Sequence, residues 1–324
     1  MQIAALSDIV EGKLLNTPAV SFVTQIHTNL SKVNDGDAFF AIDLDDAKTA
    51  IQKGAFGIIV DKILLEKLDL TTIDNEIAWI YVDDIIRSIK NIIRYTLINK
   101  SVSSYALDSV SCHLVELFKT KENSNITIVK NDIFKDFETL LSIEENSLIF
   151  GSNIEFMKFI DPNCIFISKS SYQINNLIKH TLFETSFSYE DILFQNIKLP
   201  ILYINNLLEV LDILPFKVDL KKISNFKLFK PIFINKSAQI VPHGQTNRFI
   251  VSNNNISICE IEIAYLKKEY SYANIDVINR NDFNNEELFD HIKNRNYNAL
   301  YIKGEISTNI LKILQEHDSS LSLF

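Results

Sequence analysis

The chain has 324 residues, of which 47% are hydrophobic and 23% charged, and its formal charge is −9. That length exceeds what one core organises, so two or three domains are expected. The acidic balance, with no basic stripe carrying interleaved aromatics, repels a phosphodiester backbone and excludes nucleic acid as a partner, although a compact anionic ligand stays compatible because one site can be locally positive.

From the N-terminus, residues 39–42 (Phe39, Phe40, Ala41, Ile42) predict a short buried strand, residues 46–53 a helix, 55–60 a second buried strand and 77–82 a third. This is a compact α/β unit over residues 1–98. Asp83 and Asp84 end the third strand where a side-chain oxygen can cap a helix, which carries Ile85, Ile86, Ile89, Ile92, Ile93 and Leu97 on one face and Arg87, Lys90 and Arg94 opposite. The stretch Thr28-Asn29-Leu30-Ser31-Lys32-Val33-Asn34-Asp35-Gly36-Asp37-Ala38-Phe39-Phe40-Ala41, leading to Gly54-Ala55 and the strand Ile58-Ile59-Val60, resembles the N-terminal domain of the Mur ligases. In that family a segment Thr-Asp-Ser-Arg-x-Val-x-Pro-Gly-Asp-x-Phe-x-Ala runs through a helix into Gly-Ala and a hydrophobic strand, and the domain holds the UDP end of a UDP-N-acetylmuramoyl-peptide. The resemblance implies an α/β protein in three parts: a small N-terminal α/β domain (1–98), a central α/β domain (99–229) and a Rossmann-like C-terminal domain (230–324).

A ligase of this kind phosphorylates a carboxylate with ATP and needs a Gly-x-x-Gly-Lys-Thr/Ser loop at the start of its central domain, because backbone N–H groups must close on the phosphates. The seven glycines are Gly12, Gly36, Gly54, Gly57, Gly151, Gly244 and Gly304. Only Gly54 and Gly57 are near neighbours, and no Lys-Ser/Thr pair follows them, so neither a phosphate loop nor a dinucleotide turn can be written. Where the strand and loop belong, residues 105–118 are predicted as a helix with Leu107, Val110, Leu114, Leu117 and Phe118 inward. Residues 147–152, 156–160 and 164–168 keep the strand, helix, strand rhythm of the family, but Phe150-Gly151 stands where its metal-binding glutamate is expected. Residues 202–211 resemble the family's asparagine-containing helix and, with no phosphate loop before them, are assigned to the core. The central domain is thus a degenerate one.

The last part alternates again, with strands at 248–252, 274–279 and 299–302 and helices at 256–268, 285–295 and 308–317, the pattern of a small parallel sheet. Cys112, Cys164 and Cys259 are far apart and odd in number, which predicts buried free thiols in a reducing compartment. Asp8 and Glu11 interrupt the apolar run of a signal peptide and no uncharged stretch is long enough to span a bilayer, so a cytoplasmic protein without membrane association is expected.

The six histidines, His27, His113, His180, His243, His291 and His317, show no metal-ligand spacing, and each is expected to be structural or solvated. His27 and His243 fall in predicted loops. The acidic pairs Asp45-Asp46, Asp83-Asp84 and Glu144-Glu145 point apart and are assigned to capping and solvation. No catalytic residue, metal or cofactor is therefore expected. Aligned on Gly36-Asp37, the residues Asn29, Leu30 and Ser31 replace the family's Asp-Ser-Arg, so the scaffold is better kept than the ligand contacts. Thr28, Asn29, Ser31 and Lys32 are the candidate ligand-binding residues, joined by His243 and Arg248 in a polar turn of the last domain where Arg248 could meet an anion. The resemblance implies a non-catalytic protein of peptidoglycan precursor metabolism that binds a UDP-muramoyl-type molecule or a partner protein of cell-wall synthesis. Two alternatives stay open: an active UDP-N-acetylmuramoyl-peptide ligase or sugar-nucleotide enzyme with an unusual ATP site, and an interaction scaffold without a small-molecule ligand.

Overall fold

Short apolar runs become strands where a capped helix follows them, in a computed structural model that describes residues 1–68, 75–120, 125–167 and 172–316. The chain divides into two units, residues 1–112 with 119–168, and residues 113–118 with 169–324.

The first unit begins with α1 (Ile3–Ile9), β1 (Lys13–Leu14), β2 (Ile26–His27), β3 (Ala38–Phe40), α2 (Leu44–Gln52), β4 (Gly57–Val60), α3 (Lys62–Leu65), β5 (Ala78–Tyr81) and α4 (Ile85–Ile98). Its sheet has the order β1-β5-β4-β3-β2, parallel except for β1. The three strands predicted here are adjacent in it, with Phe39 opposite Ile58 and Ile58 opposite Trp79. Ile42 departs from the expectation and is 59% exposed. The chain has already turned by then into Asp43, whose carboxylate accepts the Asp46 N–H and caps α2. Asp84 likewise accepts the Ile86 and Arg87 N–H groups to start α4, which buries Ile89, Ile92, Ile93 and Leu97. Ile86 is exposed, because the inward face is set by Ser88, which donates its hydroxyl to Val10 O at 2.8 Å.

The chain continues with β6 (Ser103–Ala106), α5 (Ser109–Phe118), β7 (Ile126–Ile128), α6 (Ile133–Leu141), β8 (Leu148–Gly151), α7 (Ile154–Ile160) and β9 (Ile165–Phe166), all in the first unit except residues 113–118 of α5. These strands form a parallel sheet of order β7-β8-β6-β9. The single helix expected over 105–118 is corrected: Tyr105 and Ala106 belong to β6, a turn follows, and the helix starts at Ser109. Pairing on both edges with β8 and β9 holds residues 103–106 extended, a tertiary constraint that outweighs the helical spacing of Leu107, Val110 and Leu114. One apolar cluster joins Phe40, Ile59 and Ile92 to Phe137, Leu140 and Met157, with the rings of Phe40 and Phe137 edge to face at 5.9 Å.

The second unit opens with an antiparallel sheet not foreseen from the sequence: β10 (Asn175–Lys179), β11 (Thr185–Tyr189) and β12 (Ile192–Ile197). After α8 (Ile204–Ile213) come β13 (Ile232–Phe233), β14 (Phe249–Asn253), α9 (Ile256–Glu269), β15 (Ile275–Asn279), α10 (Asn285–Asn294), β16 (Ala299–Lys303) and α11 (Thr308–Glu316). Strands β14, β16 and β15 are parallel neighbours in the order β13-β14-β16-β15, and β13 adds an antiparallel edge. Their bounds lie within a residue or two of those predicted. Ser168 and His317, which were assigned to the ends of a strand and a helix, lie outside the described residues.

A carboxylate is locked into this core. Glu262 on α9 has no solvent exposure and accepts the hydroxyls of Tyr203 and Tyr301, with Asn253 Nδ2 at 3.5 Å from both of its oxygens. Burial pushes its pKa above the ordinary 4.5, against the opposing pull of these donors. A folded-state pKa above the unfolded one contributes stability that is full below the unfolded value and is lost as pH rises toward the folded value. Glu262→Gln should therefore lose less melting temperature than the wild type as pH rises above the ordinary carboxyl value of 4.5. Parallel slopes for the two proteins in a thermal denaturation series would show that burial does not control this carboxyl.

Candidate functional site

The loop that leaves β2 is held in shape from within. Asp37 Oδ1 accepts the Gln25 N–H at 3.0 Å and Oδ2 the Asn34 N–H at 2.9 Å, while Gly36 turns the chain with a φ of +86°. Asn29 caps a single 3-10 turn, Leu30–Lys32, its Oδ1 accepting the N–H and the hydroxyl of Ser31 at 3.0 and 2.8 Å. Lys53 Nζ donates to Leu30 O at 2.8 Å. His27 is not in a loop, as expected from the sequence, but in β2, where pairing with Phe39 leaves it 5% exposed.

Ser31 donates to Asn29, while against Thr28, Asn29 and Lys32 the structure places a residue not foreseen, Glu138 of α6. Glu138 Oε1 accepts the N–H of Thr28 at 3.1 Å and of Asn29 at 3.4 Å, and Oε2 lies 3.0 Å from His27 Nδ1 and 3.9 Å from Lys32 Nζ. The Thr28 hydroxyl donates to Phe134 O at 3.0 Å. On the other side of the imidazole, His27 Nε2 is 3.3 Å from Asp37 Oδ2, close enough for an ion-pair contact but without hydrogen-bond geometry. The imidazole thus faces a carboxylate on each side. No local signal announces Glu138, which is 111 residues from His27 in the chain.

A second helix start repeats the theme. At the turn from β6 into α5 the sequence is Ala106-Leu107-Asp108-Ser109-Val110-Ser111, with Leu107 and Val110 buried and Asp108 Oδ1 accepting the Ser111 N–H at 2.8 Å. At the end of β8, Gly151 is packed so tightly that a Cβ would come within 2.5 Å of Met157 Sδ and Val129 Cγ2. Among the described residues no three His, Cys, Asp or Glu side chains are grouped to hold a metal ion. None of the three cysteines is in a disulfide; Cys112 and Cys259 are buried and Cys164 is half-buried. His180 contacts Ser186 Oγ and His291 contacts Asp276 Oδ2, each at 2.7 Å.

In the second unit His243 is exposed in a turn where Gly244 has a φ of +90°, and its ring stands against Phe233 at 4.9 Å. It borders a cavity of about 300 Å³ lined by Phe183, Phe226 and Phe229 with Lys198 and Lys230. Arg248 is used differently from the anion contact considered for it. It is buried, donates to the carbonyls of Ile292, Arg295 and Asn235, and lies 4.2 Å from the centre of the Tyr297 ring. The guanidinium therefore closes the C-terminal end of α10, where carbonyls lack helical partners.

No protein-family model matches the chain, and no curated protein matches it in sequence. Solved structures share its fold, two MurF ligases among them. The MurF ligase from Thermotoga maritima, crystallised in complex with ADP, aligns over 93% of this chain and 87% of its own with a TM-score of 0.51 and 13% identity. MurF from Acinetobacter baumannii aligns over 96% of this chain and 87% of its own with a TM-score of 0.52 and 11% identity. The chain has the multidomain α/β architecture of the Mur ligases, matching the resemblance seen between Gly36 and Val60. Among the described residues no helix is long and apolar enough to cross a membrane.

Arg248→Ala should cost about 2–4 kcal/mol, since it removes donors from three carbonyls and uncovers the Tyr297 ring. Arg248→Lys should restore only part of this, because an ammonium cannot span three carbonyls. A melting temperature unchanged in Arg248→Ala would show that the guanidinium is free for a ligand.

Proposed function

We propose that this protein with the Mur-ligase fold is a non-catalytic participant in peptidoglycan precursor metabolism, built in the three parts 1–98, 99–229 and 230–324, that has lost the ATP-dependent step. The observation that carries this reading is the turn between β6 and α5. A strand leading into a helix start in a parallel sheet is a ready place for a nucleotide phosphate, provided the turn is open and its amides are available. Here Leu107 is folded into the core and Asp108 puts its own carboxylate on the Ser111 amide. A phosphate would meet a like charge where it needs donors. At the end of β8, Phe150 and the tightly packed Gly151 offer no side-chain carboxylate to a magnesium ion.

With the chemistry gone, the protein acts by binding. The candidates are a UDP-muramoyl-type molecule and a protein of cell-wall synthesis. Glu138 favours the protein partner, since it already takes the amides of Thr28 and Asn29 that a diphosphate would use. On this reading residues 27–37 serve the scaffold more than a ligand, and the three-part architecture supplies surfaces to a complex.

Isothermal calorimetry with magnesium-ATP should give no heat beyond dilution up to millimolar nucleotide, and incubation with ATP should release no ADP or phosphate. One-to-one binding in the micromolar range, or turnover, would overturn the non-catalytic reading.

A further inference from the structure

A cavity walled by aromatic rings lies wholly within the second unit, between the hairpin that joins β10 to β11, the end of β12 and the segment leading into β13. Its volume of about 300 Å³ is at the lower end of the range for small-molecule sites. Phe226 and Phe229 are buried beneath it, and Phe183, Leu228 and Phe233 stand half-buried around it. The rings brace one another. Phe183 lies 5.4 Å from Phe229 and 6.1 Å from Phe233, and Phe233 meets the exposed His243 ring at 4.9 Å.

The floor is strained and is anchored to buried polar groups. Phe229 has a φ of +52°, a left-handed backbone that a phenylalanine adopts only where its surroundings hold it. Its N–H is among the donors that oppose the rise of the Glu262 pKa. Tyr203, whose hydroxyl goes to the same carboxylate, meets Phe226 edge to face at 5.7 Å. Tyr265 meets Phe229 in the same way at 5.5 Å and donates its hydroxyl to Leu182 O at 3.3 Å, which holds the hairpin against the floor. The buried Glu262 network therefore positions the base of the cavity.

Charge at the cavity selects the ligand. Lys198 and Lys230 are exposed and have no hydrogen-bond or ion-pair partner among the described residues, and Glu184 is the one acid on the lining. One carboxylate against two ammonium groups leaves a single positive charge over an apolar floor, in a chain whose formal charge is −9. The lining holds no glycine and no side-chain amide, so it offers neither an open turn to a polyphosphate nor a paired donor and acceptor to the edge of a nucleobase. We infer that this cavity binds a small aryl carboxylate, with its ring against Phe183 and Phe233 and its carboxylate at Lys198 and Lys230. This goes beyond the proposed function, which stands or falls on ATP, and the two fail separately.

The test is an NMR titration of the full-length chain at pH 8, above the ordinary imidazole range, with the amide resonances of Leu228, Phe229 and Phe233 as the local readout. Phenylacetate should shift these amides saturably and one-to-one, with an affinity of about 1 mM or tighter. Acetate, which lacks the ring, and benzyl alcohol, which lacks the charge, should each bind at least fivefold more weakly. AMP should not compete. Lys230→Glu makes the net charge of the lining negative, so it should weaken phenylacetate at least tenfold and create binding of phenethylamine that the wild type lacks. Because the replaced side chain is exposed, the melting temperature without a probe should not change, and Lys198→Glu should reverse the preference in the same direction. No saturable shift with phenylacetate, equal binding of benzyl alcohol, tighter binding of AMP, or an unchanged preference in both lysine variants would overturn the inference.

Discussion

The leading N–H groups of a helix and the amides of a tight loop have no partner within their own element, and something must meet each of them. In a ligand-binding fold some are left for the phosphates of a substrate or cofactor. This chain meets them with its own acids and amides. Asp43, Asp84, Asp108, Asp132 and Asn153 serve helix starts in the first unit, Asn255 and Asn284 do so in the second, and Glu138 serves the loop after β2. The acidic composition thereby becomes a structural property.

Buried ionisable groups in the two units meet neutral partners in some places and charged ones in others. In the second, Glu262 is surrounded by two tyrosine hydroxyls and an asparagine, and Arg248 by backbone carbonyls, so each charged group is met by neutral dipoles. Such groups tie strands β14 and β16 to α9 and α10. In the first unit His27 stands between Asp37 and Glu138 and joins the β2 edge of one sheet to the α6 layer of the other. The Phe40 and Phe137 pair lies in the apolar cluster shared by the two sheets, so polar and apolar contacts fix the same register between them. Cutting the polar contact leaves the apolar one in place.

Much of the fold was legible along the chain because its signals are local. The strands at 57–60 and 78–81 are short apolar runs, and Asp84 followed by Ile89, Ile92 and Ile93 spells a capped amphipathic helix. Residues 249–303 alternate strand and helix with each helix start marked by an asparagine. The sheet over 175–197 was not legible. All five residues of β10 are exposed, so there is no alternation to detect, and positive φ falls on Asn176, Glu190 and Asn196 instead of on glycine, which hides the turns and bulges. Within the helix expected over 105–118, residues 105–108 differ because a helical apolar spacing ran back into a four-residue strand whose identity depends on β8 and β9.

The sequence by itself determined the alternating α/β architecture, most helix starts, the likeness of residues 28–60 to a Mur-ligase N-terminal domain, and the lack of a phosphate loop. All of these rest on residues within about one helix or hairpin of each other, where capping and periodicity act. What occupies each polar site was decided only by the tertiary structure. Arg248 turned to the end of α10, where it donates to the carbonyls of Ile292 and Arg295, more than forty positions away. Glu138 met Thr28 and Asn29 across 110 and 109 positions. A donor without an acceptor is visible in a sequence, but the acceptor is chosen by whichever chain segment the packing of the core brings alongside.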